Sequence, residues 1–426
     1  MPPRFQLDED DDSVHEAAVF IKAPEYAYAA VYSPLRQRIR QAVVQEVERE
    51  IPLLAAIQKR YRSPLLDHIF ILTGMLGNHA FFMLALPFLH LFGGGMFSRG
   101  LTFVVLWSIY FSGWAKDYIS APRPASPPIA QITRSPAHTF EYGFPSSHTT
   151  YVVATIIYIT HFMLYEWDSS LASALILWIV GLFIVVGRIY CGLHSFVDVA
   201  GGIVIGSVEA LAFIKFYSQL DALLLSTPGP LYMAAILYVA LKNIPKALDL
   251  CPCCIDSYCA TSVTLGLALG TWMHARLPFL WWNGVSDSIA WDSSLSPLKS
   301  AVRCAIGLVL VVAWKLGSKK SVTAMVHNYF FDPLQSDCDS SFSLSSDDKN
   351  TATPSLKAAK DSLDQPSFLI PSQSAISESS YGTHQLMASS ENIARIPIYA
   401  GIGIMVYVVA PVLFYFLDLN PVKTLS

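Results

Sequence analysis

The chain has 426 residues, 53% of them hydrophobic and only 14% charged, with a formal net charge of −4. A soluble domain carries about 25% charged residues, so this composition points to a membrane protein. The small net charge leaves no electrostatic footprint for nucleic acid.

Residues 1–32 read as a polar tail with the acidic run Asp8-Glu9-Asp10-Asp11-Asp12. The tail lacks a signal-peptide pattern, so targeting is expected to use a transmembrane helix. Ser33-Pro34 then has the form of an N-cap followed by a proline in the first turn. Val43, Val44, Val47, Ile51 and Leu54 follow at helical spacing, flanked by Arg36, Arg38, Arg40, Lys59, Arg60 and Arg62. This pattern predicts an amphipathic helix, either lying at the membrane surface or docked on the rest of the protein.

Apolar segments follow near 67–92, 99–120, 149–165, 171–190 and 195–217. Weaker ones lie near 229–245, 260–277 and 300–316, with a strong one at 397–417. A spanning helix needs about 20 mostly apolar residues. The expected fold class is therefore all-α and polytopic, with about eight or nine transmembrane helices. Leu277–Leu298, with Trp281, Trp282 and Trp291, reads as an interfacial loop or part of another span. Cys251, Cys253, Cys254 and Cys259 fall close together, but their spacing is not a standard zinc pattern and no histidine cluster accompanies them. They read as a tight turn between helices, with a disulfide open to them in an oxidising lumen. Ser336–Asn392 is rich in Ser, Asp, Lys and Thr and is expected to be a disordered polar loop. The resulting division is an N-terminal tail and surface helix (1–62), a catalytic membrane core (63–260), additional spans (261–316), the polar loop (317–395), and a final span with a short tail (396–426).

Three polar clusters interrupt the apolar region. They are Lys116 to Pro124, Gly143 to His148, and Gly187 to Asp198. They fall at the end of the second apolar segment, the start of the third, and the junction of the fourth and fifth. Alternate crossings put all three on one face of the membrane. Lys116, Arg123 and Arg188 are then three cations with few acids among them, suited to phosphate oxygens. Ser146 and Ser147 stand where a helix begins and can offer hydroxyl and backbone N–H groups to an anion. His148 and His194 are candidates for proton transfer and nucleophilic attack. Asp198, four residues beyond His194 at a helix start, can hold that imidazole in one tautomer. Snorkelling at helix ends accounts for a cation or two, but not for two histidines with an aspartate partner.

These residues resemble the motifs of the type 2 phosphatidic acid phosphatase superfamily. The matching positions are Lys116 with Arg123-Pro124, then Pro145-Ser146-Ser147-His148, then Arg188 with His194 and Asp198. Two positions depart: Ser147 stands where the family has glycine, and Gly187 where it has serine. The wording of the second and third motifs, with the Cys-Pro-Cys stretch, is most similar to the long-chain base 1-phosphate phosphatase branch. The resemblance implies a helical-bundle core and a mechanism that uses neither cofactor nor metal. In it, His194 attacks phosphorus, oriented by Asp198, while His148 protonates the leaving oxygen. Lys116, Arg123, Ser146, Ser147 and Arg188 hold the phosphoryl group. It further implies a lipid phosphate substrate and residence in the endoplasmic reticulum membrane with the site facing the lumen. Phosphatidate, diacylglycerol pyrophosphate or a polyprenyl pyrophosphate would use the same residues, and a non-catalytic lipid-binding member is the reading from another class. Protein partners are not legible.

Overall fold

The computed structural model describes residues 23–419 apart from 24, 77–78, 92–94, 134–140, 168, 246, 250, 277–295 and 331–389. The tryptophan-containing segment, and the serine-rich stretch up to residue 389, therefore lie outside the described residues.

Every regular element among the described residues is helical. In chain order they are α1 (Glu25–Val31), α2 (Pro34–Tyr61), α3 (Pro64–Met75), α4 (His79–Leu91), α5 (Gly95–Ile119), α6 (Ser147–Tyr165) and α7 (Leu171–Tyr190). Then come α8 (Phe196–Leu225), α9 (Gly229–Lys242), α10 (Cys253–His274), α11 (Pro297–Phe330), α12 (Ser390–Ile404) and α13 (Ala410–Phe416), with a π-helical turn, Met405–Val409, joining the last two. Serine side chains start several of them: Ser33, Ser63, Ser146, Ser170 and Ser195 each accept a first-turn backbone N–H. This removes orphan donors that hydrocarbon cannot satisfy.

Five helical stretches are long and apolar enough to cross a membrane: α7, α8, α10, α11 and the run from Ile393 to Phe416. α5, with 25 residues, and α6, with 19, also have spanning length. The single segment expected at 67–92 is instead two helices of 12 and 13 residues. At about 1.5 Å per residue, neither reaches across a hydrocarbon core of about 30 Å. α9, at 14 residues, is also short. The helix begun by the apolar run 300–316 continues to Phe330, into the region expected to be loop, and α12 begins at Ser390.

The outward faces fit a bilayer. Ile179, Leu182, Val204, Val208 and Leu211 are each at least 60% exposed. A patch of that kind on α7 and α8 is unfavourable in water and neutral against lipid chains. Inside, Phe97, Leu101, Val104, Val105, Ala154, Tyr158 and Ala210 form the core between α5, α6 and α8. A second core joins α5 to α10, α11 and α12 through Phe103, Leu267, Val311 and Ile402. The protein is thus a helical membrane protein whose bundle brings the C-terminal ends of α5 and α7 to the same end as the N-termini of α6 and α8.

α2 lies across that end. Its buried face carries Arg40, Val47, Leu54 and Gln58. Arg36 donates to the carbonyls of Asp117 (2.7 Å) and Tyr118 (2.6 Å), and Arg40 to that of Ser120 (3.3 Å). Glu50 accepts the N–H groups of Phe196 (2.5 Å) and Val197 (3.1 Å). Cations therefore meet the C-terminal end of α5 and an anion meets the N-terminus of α8, as the helix dipoles favour. α2 is thus docked on the bundle through polar contacts to α5 and α8.

Candidate active site

His194 sits on the short turn between α7 and α8. Gly192, at φ +65°, opens that turn, and a side chain there would strike Ile129 and Ala130. The turn is held by Gln58 of α2, which donates to the carbonyls of Ala130 and Tyr190 and accepts from the Ala130 N–H, each at 2.9 Å. Ser195 and Asp198 then close a reciprocal capping box: the Ser195 N–H donates to Asp198 Oδ2 at 2.8 Å, and Ser195 Oγ accepts the Asp198 N–H at 3.3 Å. This box fixes where Asp198 points.

His194 is 1% exposed and Asp198 0%. His194 Nδ1 faces Asp198 Oδ2 at 3.6 Å, and its Nε2 lies 3.1 Å from Arg123 Nη1. A guanidinium only donates, so Nε2 must accept. That assigns the ring proton to Nδ1, on the Asp198 side, and leaves the Nε2 lone pair aimed at the cations. Burial first, then the positive charges of Arg123, Lys116 and Arg188, hold this imidazole well below the usual histidine range. It is neutral at neutral pH.

Arg123 reaches the site from the proline-bounded segment after α5. Its Nη1 also donates to the Leu193 carbonyl at 2.7 Å, and its Nη2 pairs with Glu141 at 2.7 Å, while Nε has no partner. Arg188, in the last turn of α7, is 4% exposed and its Nε and Nη2 are unpartnered. Lys116 is 1% exposed and donates to the carbonyls of Tyr142 and Gly143. Ser146 caps α6, and its N–H donates to the Asp198 carbonyl at 2.9 Å, tying the start of α6 to that of α8. Ser147 is the first residue of α6 and is half-buried. His148 follows it, with Nε2 at 3.3 Å from the Gly74 carbonyl and its ring against Tyr151. It is close enough to His194 to repel its protonated form.

The structure thus brings the expected ionisable residues to one end of one bundle. Gly187, one of the two departures from the family motif, has a packing reason. A Cβ there would lie 2.6 Å from the ring of Phe70, which packs α3 onto α7. Sequence reasoning missed Gln58, Glu50 and Glu141. None belongs to a local pattern, and each meets its partner only across the fold.

Donors without acceptors therefore lie buried around a neutral imidazole. Comparison with known proteins identifies the family. Residues 98–221 match the PAP2 superfamily. A dihydrosphingosine 1-phosphate phosphatase of Schizosaccharomyces pombe is 32% identical, covering 91% of this chain and 93% of its own length. One from Saccharomyces cerevisiae is 30% identical over 68% of this chain and 72% of its own. The human sphingosine-1-phosphate phosphatase 2 is 23% identical over 58% of this chain and 62% of its own. No solved structure is a significant match. With residues 98–221 matched by the family and a 32% identical relative matched almost end to end, the chain belongs to the PAP2 superfamily, in the group that includes these sphingoid base phosphate phosphatases.

Proposed function

We propose that this protein hydrolyses sphingoid long-chain base 1-phosphates to the free base and phosphate, through a phosphohistidine on His194. One observation carries the site assignment: Arg188 is buried with two unpartnered donor nitrogens, near the unpartnered Nε of Arg123 and the lone pair of His194. A buried charge is tolerated when a counter-ion completes it, and a phosphoryl group has the charge and the oxygens to do so.

The chemistry follows from the geometry. His194 Nε2 forms a bond to phosphorus as the phosphorus–oxygen bond to the lipid breaks. His148 gives its proton to the departing oxygen. The charge that gathers on the phosphoryl oxygens in the transition state is met by Lys116, Arg123, Arg188 and the start of α6 at Ser146 and Ser147. The new positive charge on the His194 ring is balanced by Asp198 at Nδ1. In the second step His148 takes a proton from water, the water oxygen bonds to phosphorus, and the phosphorus–nitrogen bond breaks. Protein cations supply the charge stabilisation, so the scheme draws on no cofactor or metal ion.

The names of the relatives support a sphingoid base phosphate as substrate. An apolar cavity of about 290 Å³ supports a lipid. Phe82, Leu86, Leu106, Ile109 and Val263 are in its wall, and Phe82 packs edge-on against Tyr151, the neighbour of His148. By resemblance we place the protein in the endoplasmic reticulum membrane with the site towards the lumen, which protease protection of intact microsomes tests.

The deciding experiment compares sphingosine 1-phosphate with phosphatidate in detergent, using wild type and His194→Ala. The expected result is preference for the sphingoid substrate, and loss of both turnover and acid-labile phosphoenzyme in the variant. Preference for phosphatidate would overturn the substrate assignment alone. Turnover retained by His194→Ala would overturn the mechanism.

A further inference from the structure

Beside Lys116, Asp117, Cys251 and Cys253 turn their donor atoms toward one another. A carboxylate oxygen and the two sulfurs all lie within 4.8 Å of each other. Asp117 lies in the last turn of α5, Cys253 is the first residue of α10 and Cys251 stands two residues before it, so the group joins two helices of the bundle. All three are buried, with Asp117 1%, Cys251 9% and Cys253 3% exposed. The backbone of Asp117 is satisfied, because its carbonyl accepts from Arg36 at 2.7 Å. Its side chain is not: neither carboxylate oxygen has a hydrogen-bond partner. Lys116, the adjacent cation, directs its ammonium to the Tyr142 and Gly143 carbonyls instead.

An unpartnered carboxyl group facing two thiols is a set of donors around a shared point, which become anionic by giving up their protons as a metal binds. We infer that Asp117, Cys251 and Cys253 bind a thiophilic divalent cation of the zinc class. Two thiolates and one carboxylate carry three negative charges. A divalent ion leaves one, and neighbouring Lys116 balances it. Cysteine and carboxylate are both ordinary zinc donors, and the fourth position falls to water or to Cys254, whose thiol is in electrostatic reach of Asp117 and Cys251. The two sulfurs stand 2.6 Å apart. Around a tetrahedral ion with metal–sulfur bonds of about 2.3 Å they would stand roughly 3.8 Å apart, which side-chain rotation supplies. A Cys251–Cys253 disulfide is the competing use of these thiols. It would leave the buried Asp117 carboxylate with nothing to bind, and the cation resolves that as well. Cys251 and Cys253 pack with Tyr142, whose carbonyl accepts from Lys116, so the centre is a structural brace for one phosphate-binding cation. It takes no part in bond breaking and stands whatever lipid the enzyme prefers.

The test uses the full-length protein in detergent. Metal content is measured in wild type, Cys251→Ser/Cys253→Ser, Asp117→Asn and, as a control, Cys304→Ser. Wild type and the control are expected to hold about one zinc per chain, and the double variant background levels. Stripped wild type is then titrated with Co2+, which should produce thiolate-to-cobalt charge-transfer absorption together with tetrahedral d–d bands. Asp117→Asn should weaken Co2+ affinity at least tenfold. Should the double variant not fold, the cobalt spectrum of the wild type decides. Three outcomes overturn the inference: wild type that neither retains zinc nor takes up cobalt, a double variant that keeps its metal, or peptide mass analysis showing Cys251 bonded to Cys253.

Discussion

Replacing Arg188 by methionine distinguishes a guanidinium kept for phosphate from one kept for the fold. Arg188 is 4% exposed, and its Nε and Nη2 have no partner in the resting protein. Burying an uncompensated ion costs several kcal/mol, and methionine fills a similar volume without that cost. The substrate-free protein should therefore melt at a higher temperature once Arg188 is gone. Catalysis should move the other way. Two charge-assisted hydrogen bonds to the phosphoryl group, each about 1.5–3 kcal/mol, are lost together, for about 3–6 kcal/mol. At about 1.36 kcal/mol per tenfold change, kcat/KM should fall by roughly 10²- to 10⁴-fold. Arg188→Lys keeps the charge but loses the fork, and should fall by about 10- to 100-fold. The assay is phosphate release from sphingosine 1-phosphate in mixed micelles, paired with thermal unfolding of the same preparations. A methionine variant that melts several degrees lower, with kcat/KM within about threefold of wild type, would show that Arg188 serves the fold and refute the phosphate assignment.

Asp198→Asn should keep the helix start intact, since an amide oxygen can still accept the Ser195 N–H, yet lower kcat by about 10³- to 10⁴-fold, because the same oxygen faces His194 Nδ1 and no longer carries the negative charge that balances the imidazolium formed on attack. Ser195→Ala should do the reverse, lowering stability by about 1 kcal/mol with turnover largely kept; equal turnover in the two variants would refute the orienting role. In the pH profile, burial and neighbouring cations depress the His194 pKa, so the lone pair survives as pH falls through 6.5. The acid limb of kcat/KM attributable to this group should lie well below 6.5, and a limb at or above that value would contradict the buried, cation-flanked imidazole. Gln58→Ala orphans backbone groups of Ala130 and Tyr190, costing about 1–3 kcal/mol for each one left unsatisfied. It should lower the melting temperature and kcat without moving the acid limb, and an unchanged melting temperature would show that α2 does not brace the catalytic turn.

Much of the site was legible because its chemistry is written at short range. His194 and Asp198 are a helical turn apart, and Lys116 is read together with Arg123. Their polarity stands out because the surrounding segments are apolar. Alternate crossing of the membrane then placed the three clusters on one face. The element pattern was legible for the same reason in α7 and α8, where hydrophobic runs match the bilayer. It misled at 67–92, where hydropathy alone does not register a break between α3 and α4. It also did not show α11 running on to Phe330.

What the sequence by itself determined is the class of protein and the set of candidate reacting groups, since greasy length and closely spaced ionisable residues are properties of the chain read in order. Only the tertiary structure decided that α2 lies across the end of the bundle, that Gln58 and Glu50 set the turn bearing His194, that Arg188 waits without a partner, and that Asp117 faces Cys251 and Cys253. Each of those features depends on how segments far apart in the chain are packed. Spacing along a chain carries no information about them, because which helix faces meet is settled by the packing of the whole bundle.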